Sequence, residues 1–212
     1  MNDLRERLAA ARLYLVCGAE PDEFLHAALR GGVDIVQQRV KDADDSFILA
    51  AAARFRAVCD QHRALFILND RPDLAAQAGA DGVHVGQDDM SVDAARQLVG
   101  PSRLIGLSTH TREQVDAAAA DPEVDYTGVG PVFATPTKPG RPAVGFELVA
   151  YAAAHAVKPW FAIGGLDVAG ARAVSGAGAT RVAVVRALTE AADPERAAQS
   201  LLAALEVPVG ST

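Results

Sequence analysis

Gln37, Arg39 and Lys41 close a short apolar run at intervals of two, so in extended backbone their side chains share one face. A glutamine and two cations facing an interior are costly unless an anion meets them. The triple therefore points to a phosphate-bearing ligand, against the alternative of an amphipathic edge with Lys41 simply solvated. Asn69-Asp70 closes the next run, and Gly86-Gln87-Asp88-Asp89 follows the one after it. Two carboxylates from neighbouring strand ends suit Mg2+, which takes one or two protein oxygens and keeps positions for water and phosphate. Of the adjacent acids, Asp88 reads as a helix-start charge. His84, inside its run, reads as a packed, hydrogen-bonded histidine rather than a ligand or base.

Further on, Ser108-Thr109-His110 ends another run. It lacks a nucleophile-elbow sequence, so Ser108 is better read as a hydrogen-bonding contact to a ligand than as part of a catalytic triad. The stretch 131–142 carries four prolines, two cations (Lys138 and Arg141) and no acid. A long connection of that composition is expected to act as a lid, against the alternative of a rigid surface excursion. Gly164-Gly165 and Val185-Arg186 end the last two runs, and glycines there let backbone N–H groups approach a phosphate.

These residues need elements to hold them, and the pattern supplies eight. Short β-branched runs at 13–17, 34–39, 65–69, 82–85, 104–108, 126–130, 160–163 and 181–185 alternate with helix-periodic stretches. The helices are expected at 22–31, 45–62, 72–79, 91–99, 111–120, 145–157, 168–177 and 194–205, with caps at Ser91, Thr111 and Asp193. Strict alternation predicts a parallel sheet, because a parallel return needs a crossover. Runs apolar on both faces, such as Leu65-Phe66-Ile67-Leu68, predict a sheet covered on both sides. An open doubly wound sheet would satisfy this, but eight units in 212 residues point to a single (β/α)8 TIM barrel domain over 1–212. Its site then lies at the C-terminal strand ends, where the polar residues stand. The tail from about 207 is expected to fray.

Composition sets the outer limits. Half of the residues are hydrophobic and 22% are charged, as in an ordinary globular protein. A formal net charge of −7 argues against non-specific binding of nucleic acid or an anionic membrane. Cys17 and Cys59 are too few for a disulfide scaffold, and no apolar stretch reaches the ~18 residues of a membrane span. A cytoplasmic enzyme with small-molecule partners is expected. Composition does not decide between a monomer and a homo-oligomer.

Taken in order, Gln37-x-Arg39-x-Lys41, Leu68-Asn69-Asp70-Arg71, Gly82-Val83-His84-Val85-Gly86-Gln87-Asp88-Asp89, Gly106-Leu107-Ser108-Thr109-His110-Thr111, the run 128–138 and Ile163-Gly164-Gly165 resemble thiamine-phosphate synthases over almost the whole chain. The resemblance implies a (β/α)8 barrel and a transferase. That enzyme joins 4-amino-2-methyl-5-hydroxymethylpyrimidine diphosphate to 4-methyl-5-(2-phosphoethyl)thiazole, or its 2-carboxy form, giving thiamine phosphate and pyrophosphate. It gives Gln37, Arg39, Lys41, Asn69, Ser108 and Lys138 to the pyrimidine diphosphate, with Gln38 and Val40 beside them. It gives one Mg2+ to Asp70 and Asp89, and the thiazole phosphate to Thr135, Pro136, Thr137, Gly165, Val185 and Arg186. Arg39, Lys41, Ser108 and Lys138 would serve the chemical step. One departure stands out: Arg186 occupies a place where the family commonly has serine, so its guanidinium either binds the phosphate or pairs with a neighbouring acid. A related thiazole tautomerase would have no need of the cationic triple or the two carboxylates. A non-catalytic phosphate-binding barrel would release no pyrophosphate.

Overall fold

The computed structural model describes residues 3–134 and 142–206. In chain order the elements are α1 (Asp3–Ala10), β1 (Leu13–Cys17), α2 (Asp22–Arg30), β2 (Ile35–Gln38), α3 (Asp45–His62), β3 (Leu65–Asn69), β4 (Gly82–Val85) and α4 (Val92–Val99). They continue with β5 (Leu104–Thr109), α5 (Arg112–Ala120), β6 (Tyr126–Val129), α6 (Gly145–His155), β7 (Trp160–Ile163), α7 (Val168–Gly176), β8 (Val182–Val184), α8 (Arg186–Thr189) and α9 (Pro194–Leu205). The strands form a closed parallel barrel in the order β1 to β8, with β8 pairing back onto β1. The expected (β/α)8 barrel is the fold.

Local chemistry sets most boundaries. Ser91, Thr111 and Asp193 each accept a hydrogen bond from the backbone N–H three residues on, the caps expected of them. The stretch 72–79, expected as a helix, is instead a series of turns. Leu74, Ala75 and Gly79 each donate to the carbonyl three residues back, and only Ala78 donates four back. These i→i−3 closures wind the stretch more tightly than an α-helix. Leu74, Ala75 and Ala78 are buried all the same.

Two layers of apolar side chains flank the strands. Outward residues such as Leu15, Val36, Phe66 and Val83 pack under the helices. Inward residues, among them Tyr14, Ile35, Leu65, Leu104, Tyr126 and Phe161, fill the barrel. The unforeseen α1 lies across the N-terminal rim. Its Leu4 and Leu8 join the interior cluster. Arg7 donates to the Arg63 carbonyl, and Arg181 donates to the carbonyls of Ala9 and Ala11. The same rim holds a repeated device. Asp34 Oδ2 accepts from Leu13 N at 3.0 Å, Asp81 Oδ2 from Phe66 N at 2.8 Å and Asp125 Oδ2 from Ile105 N at 2.8 Å. With the N-terminal rim filled, a ligand-sized space is left at the other end.

Candidate active site

A cavity of about 360 Å3 opens among the C-terminal strand ends, within the size range of small-ligand sites. Gln37, Arg39, Asn69, Ser108, Gly165, Val185 and Arg186, all expected at a site, line it. The barrel period explains the selection: Gln37 points inward, while Gln38 is buried the other way and donates from Nε2 to the Ile48 carbonyl of α3 at 2.9 Å. The side chain of Gln38 is thus not directed at the cavity. Val40 and Lys41 lie beyond the strand end, outside the lining, with Lys41 exposed. Thr135, Pro136, Thr137, Lys138 and Arg141, with most of the expected lid, lie outside the described residues.

The floor of the cavity is polar, which strand patterning did not reveal. Gln37 Nε2 donates to Tyr14 Oη at 2.6 Å, and Tyr14 Oη lies 2.9 Å from Tyr126 Oη. Tyr126 Oη lies 3.3 Å from His84 Nδ1, and His84 Nε2 lies 3.0 Å from Ser108 Oγ. Burial pushes the phenol of Tyr14 well above its ordinary range, and that of Tyr126 likewise, so both are neutral hydroxyls. Room for this chain comes from Gly106: a Cβ there would lie 2.1 Å from Tyr126 Cζ and 2.5 Å from His84 Nδ1. His84 is the packed, hydrogen-bonded histidine that was expected, and it also faces the cavity.

Gly164 and Gly165 serve a purpose besides backbone approach to a ligand. Their φ values are 107° and 66°, and a Cβ on Gly164 would lie 2.5 Å from Pro131 Cα. Val132 N donates to Ile163 O at 2.9 Å and Phe133 N to Gly164 O at 3.0 Å, so the chain leaving β6 runs down onto the end of β7. The glycines let that segment lie close over the cavity edge.

Charge at the mouth is unevenly answered. Among the described residues Arg39, Lys41 and Arg186 form no ion pair, although Asp167 and Glu190 also line the cavity. Asp167 is engaged at the start of α7, accepting from Gly170 N at 2.7 Å. The pairing of Arg186 with a neighbouring acid, one of its two expected fates, is therefore not seen; the residue is exposed at the first turn of α8.

Asp70 and Asp89 stand outside the lining, one directly after β3 and the other in the loop after β4. Asp70 has φ 57°, a left-handed conformation, and its Oδ2 accepts from Asn69 Nδ2 at 2.6 Å. Asp89 Oδ2 accepts from Gly86 N at 2.8 Å. A Cβ at Gly86 would lie 2.6 Å from that oxygen, so glycine lets the carboxylate fold back. Two hard oxygen donors of this kind fit Mg2+, which is satisfied by one or two carboxylates together with substrate phosphates. Among the described residues no group of three or more His, Cys, Asp or Glu side chains is gathered for a metal.

Residues 13–188 match the family model described as thiamine monophosphate synthase. The chain belongs to the thiamine monophosphate synthase family. That match takes in every strand and every loop at the cavity mouth, and leaves out α1 and α9. Among family relatives, the thiamine-phosphate synthase of Thermobifida fusca is 52% identical over 204 residues, covering 93% of this chain and 94% of the relative. The thiamine-phosphate synthase of Thermosynechococcus vestitus is 48% identical over 207 residues, covering 95% of this chain. The chain spans only 59% of the length of that relative. In structure it is similar to the thiamine phosphate pyrophosphorylase of Pyrococcus furiosus, with a TM-score of 0.84, 30% identity and coverage of 96% of this chain and 98% of that one. No helix of the described residues is long and apolar enough to cross a membrane.

Proposed function

We propose that the chain is a transferase that joins the pyrimidine diphosphate to the thiazole phosphate, or to its 2-carboxy form, releasing pyrophosphate. The observation that carries this reading is that Arg39, without an ion pair among the described residues, lines the cavity, with Lys41 exposed just beyond the same strand end, in a chain of this family. An electron-rich aminopyrimidine can lose pyrophosphate from its methylene by ionisation, so the protein needs no covalent nucleophile. The floor is consistent with that: His84 Nε2 meets the Ser108 hydroxyl, but Nδ1 faces the Tyr126 hydroxyl rather than the carboxylate of a catalytic triad.

Arg39, Lys41 and Lys138 would bind the diphosphate and stabilise charge as it departs. Gln37, Asn69 and Ser108 would orient the pyrimidine. Val16, Phe161 and Ile163 give the cavity dry walls that keep water from the cation. Gly165, Val185 and Arg186, with Thr135 and Thr137, would hold the thiazole phosphate so that the ring nitrogen faces the methylene. Asp70 and Asp89 would hold one Mg2+, which when bound supplies charge neutralisation for the diphosphate. Cys17 and Cys59 are both buried, free thiols, which supports a cytoplasmic setting. The test is a pyrophosphate-release assay with each substrate and Mg2+ omitted in turn. Release is expected only with all three present. Release without the thiazole phosphate, or none in any mixture, would overturn the reading.

A further inference from the structure

We infer that the buried chain Gln37–Tyr14–Tyr126–His84–Ser108 is a one-way hydrogen-bond relay whose direction makes Ser108 a donor toward the cavity. This rests on the proposed function only for what Ser108 meets there: an acceptor atom of the pyrimidine diphosphate.

The direction follows from counting protons. Gln37 Nε2 donates to Tyr14 Oη, so the single hydroxyl proton of Tyr14 must go elsewhere. Tyr126 Oη, at 2.9 Å, is its other hydrogen-bond partner among the described residues. Tyr126 then accepts from Tyr14 and passes its own proton to His84 Nδ1, at 3.3 Å. Because both rings are neutral phenols held out of water, neither drops out of the sequence by ionising. An Nδ1 that accepts leaves the imidazole proton on Nε2, which donates to Ser108 Oγ at 3.0 Å. Ser108 Oγ has no further protein partner among the described residues, and it lines the cavity, so its proton is turned to the ligand. The reverse direction would crowd Tyr14 Oη with two donors and leave its own buried proton without an acceptor. Tyr14 and Tyr126 are thus positioning residues, acting through His84 on Ser108.

Two measurements test this. In 15N-histidine spectra of the whole chain, with the resonance assigned by loss in His84→Gln, His84 is expected as the Nε2–H tautomer. In Tyr126→Phe, which keeps the ring packed on Tyr14 and Phe161, that preference is expected to weaken. An Nδ1–H tautomer in the unaltered chain, or one unmoved by Tyr126→Phe, would overturn the relay whatever the activity proves to be. In kinetics with both substrates and Mg2+, Tyr14→Phe and Tyr126→Phe are each expected to lower kcat by about tenfold with KM for the thiazole phosphate unchanged, and the double variant to lose no more than the worse single. Additive losses would indicate two independent packing effects and overturn it. Failure of the unaltered chain to release pyrophosphate, with the tautomer as expected, would overturn the proposed reaction and leave the relay standing.

Discussion

Asp125 Oδ2 lies 2.8 Å from Nη2 of Arg96, with the two side chains only 8% and 12% exposed. The same oxygen accepts the Ile105 N–H at 2.8 Å, and Oδ1 meets Arg5 Nε at 2.8 Å. One carboxylate thereby ties α1, α4, β5 and the start of β6 together. Asp125→Ala should destabilise the chain by about 3 kcal/mol, the low end for breaking a buried ion pair, because Arg96 keeps Glu123 at 2.8 Å. Asp125→Asn should cost less, since it retains a backbone acceptor. Urea unfolding of the two variants checks the order.

Gly106 gives a second expectation on packing. Any side chain there must displace the Tyr126 ring or His84, so Gly106→Ala should cost about 2–3 kcal/mol through overpacking. Because the displaced groups floor the cavity, activity should fall with stability. A variant that melts lower but keeps full kcat would show that the floor tolerates the shift.

Metal dependence can be read at three neighbouring acids. Asp70→Asn or Asp89→Asn should lower kcat by about 100-fold or more, on the scale of ~3 kcal/mol of lost charge stabilisation. Asp88→Asn should matter far less. The check is turnover across a Mg2+ titration; full activity in excess chelator would remove the metal from the reaction.

Exposed and without an ion pair among the described residues, Arg186 is placed to meet an anion from solvent. Arg186→Ser should raise KM for the thiazole phosphate by about tenfold, near 1.4 kcal/mol, with kcat and the diphosphate KM little changed. Initial rates at varied thiazole phosphate decide this. An unaltered KM would leave the Val185–Arg186 backbone as the whole contact.

Stability should also respond to pH through His62. Its imidazole Nε2 lies 2.9 Å from His26 Nδ1, between α2 and α3. Burial, then the charges of His26 and Arg30, hold its pKa below the ordinary histidine value of 6.5. The unfolded chain therefore binds a proton that the folded one refuses, so this contribution is full above about pH 6.5 and declines as pH falls below it. Melting temperatures from pH 8 to 5 should show a smaller decline in His62→Asn than in the unaltered chain.

Where a backbone rule decided the matter, the chain could be read directly. Strands at Leu13–Cys17, Leu65–Asn69, Gly82–Val85 and Trp160–Ile163 stand where their apolar runs placed them, and α3 spans the expected 45–62. Gln37, Arg39, Asn69 and Ser108 were legible at the cavity because period two in a barrel strand selects inward residues. Tyr14 and Tyr126 were not, since a tyrosine within a buried strand looks like packing until its hydroxyl partners on other strands are known. The plug α1 was hidden for a similar reason: its sequence Asp-Leu-Arg-Glu-Arg-Leu-Ala-Ala, half of it charged, buries only a narrow edge. The turns at 72–79 failed the opposite way, being alanine-rich enough to pass for a helix.

The three rim carboxylates also give the barrel a modular grain. Asp34, Asp81 and Asp125 each clasp the strand preceding their own, binding β1 to β2, β3 to β4 and β5 to β6 as doublets. The last doublet has Arg181 in the equivalent place, and it reaches Ala9 and Ala11 instead, sealing the end of the series to its beginning. A cut for fragment complementation, or new termini for a circular permutant, therefore belongs in a connection that leaves β2, β4 or β6, where it severs none of these clasps.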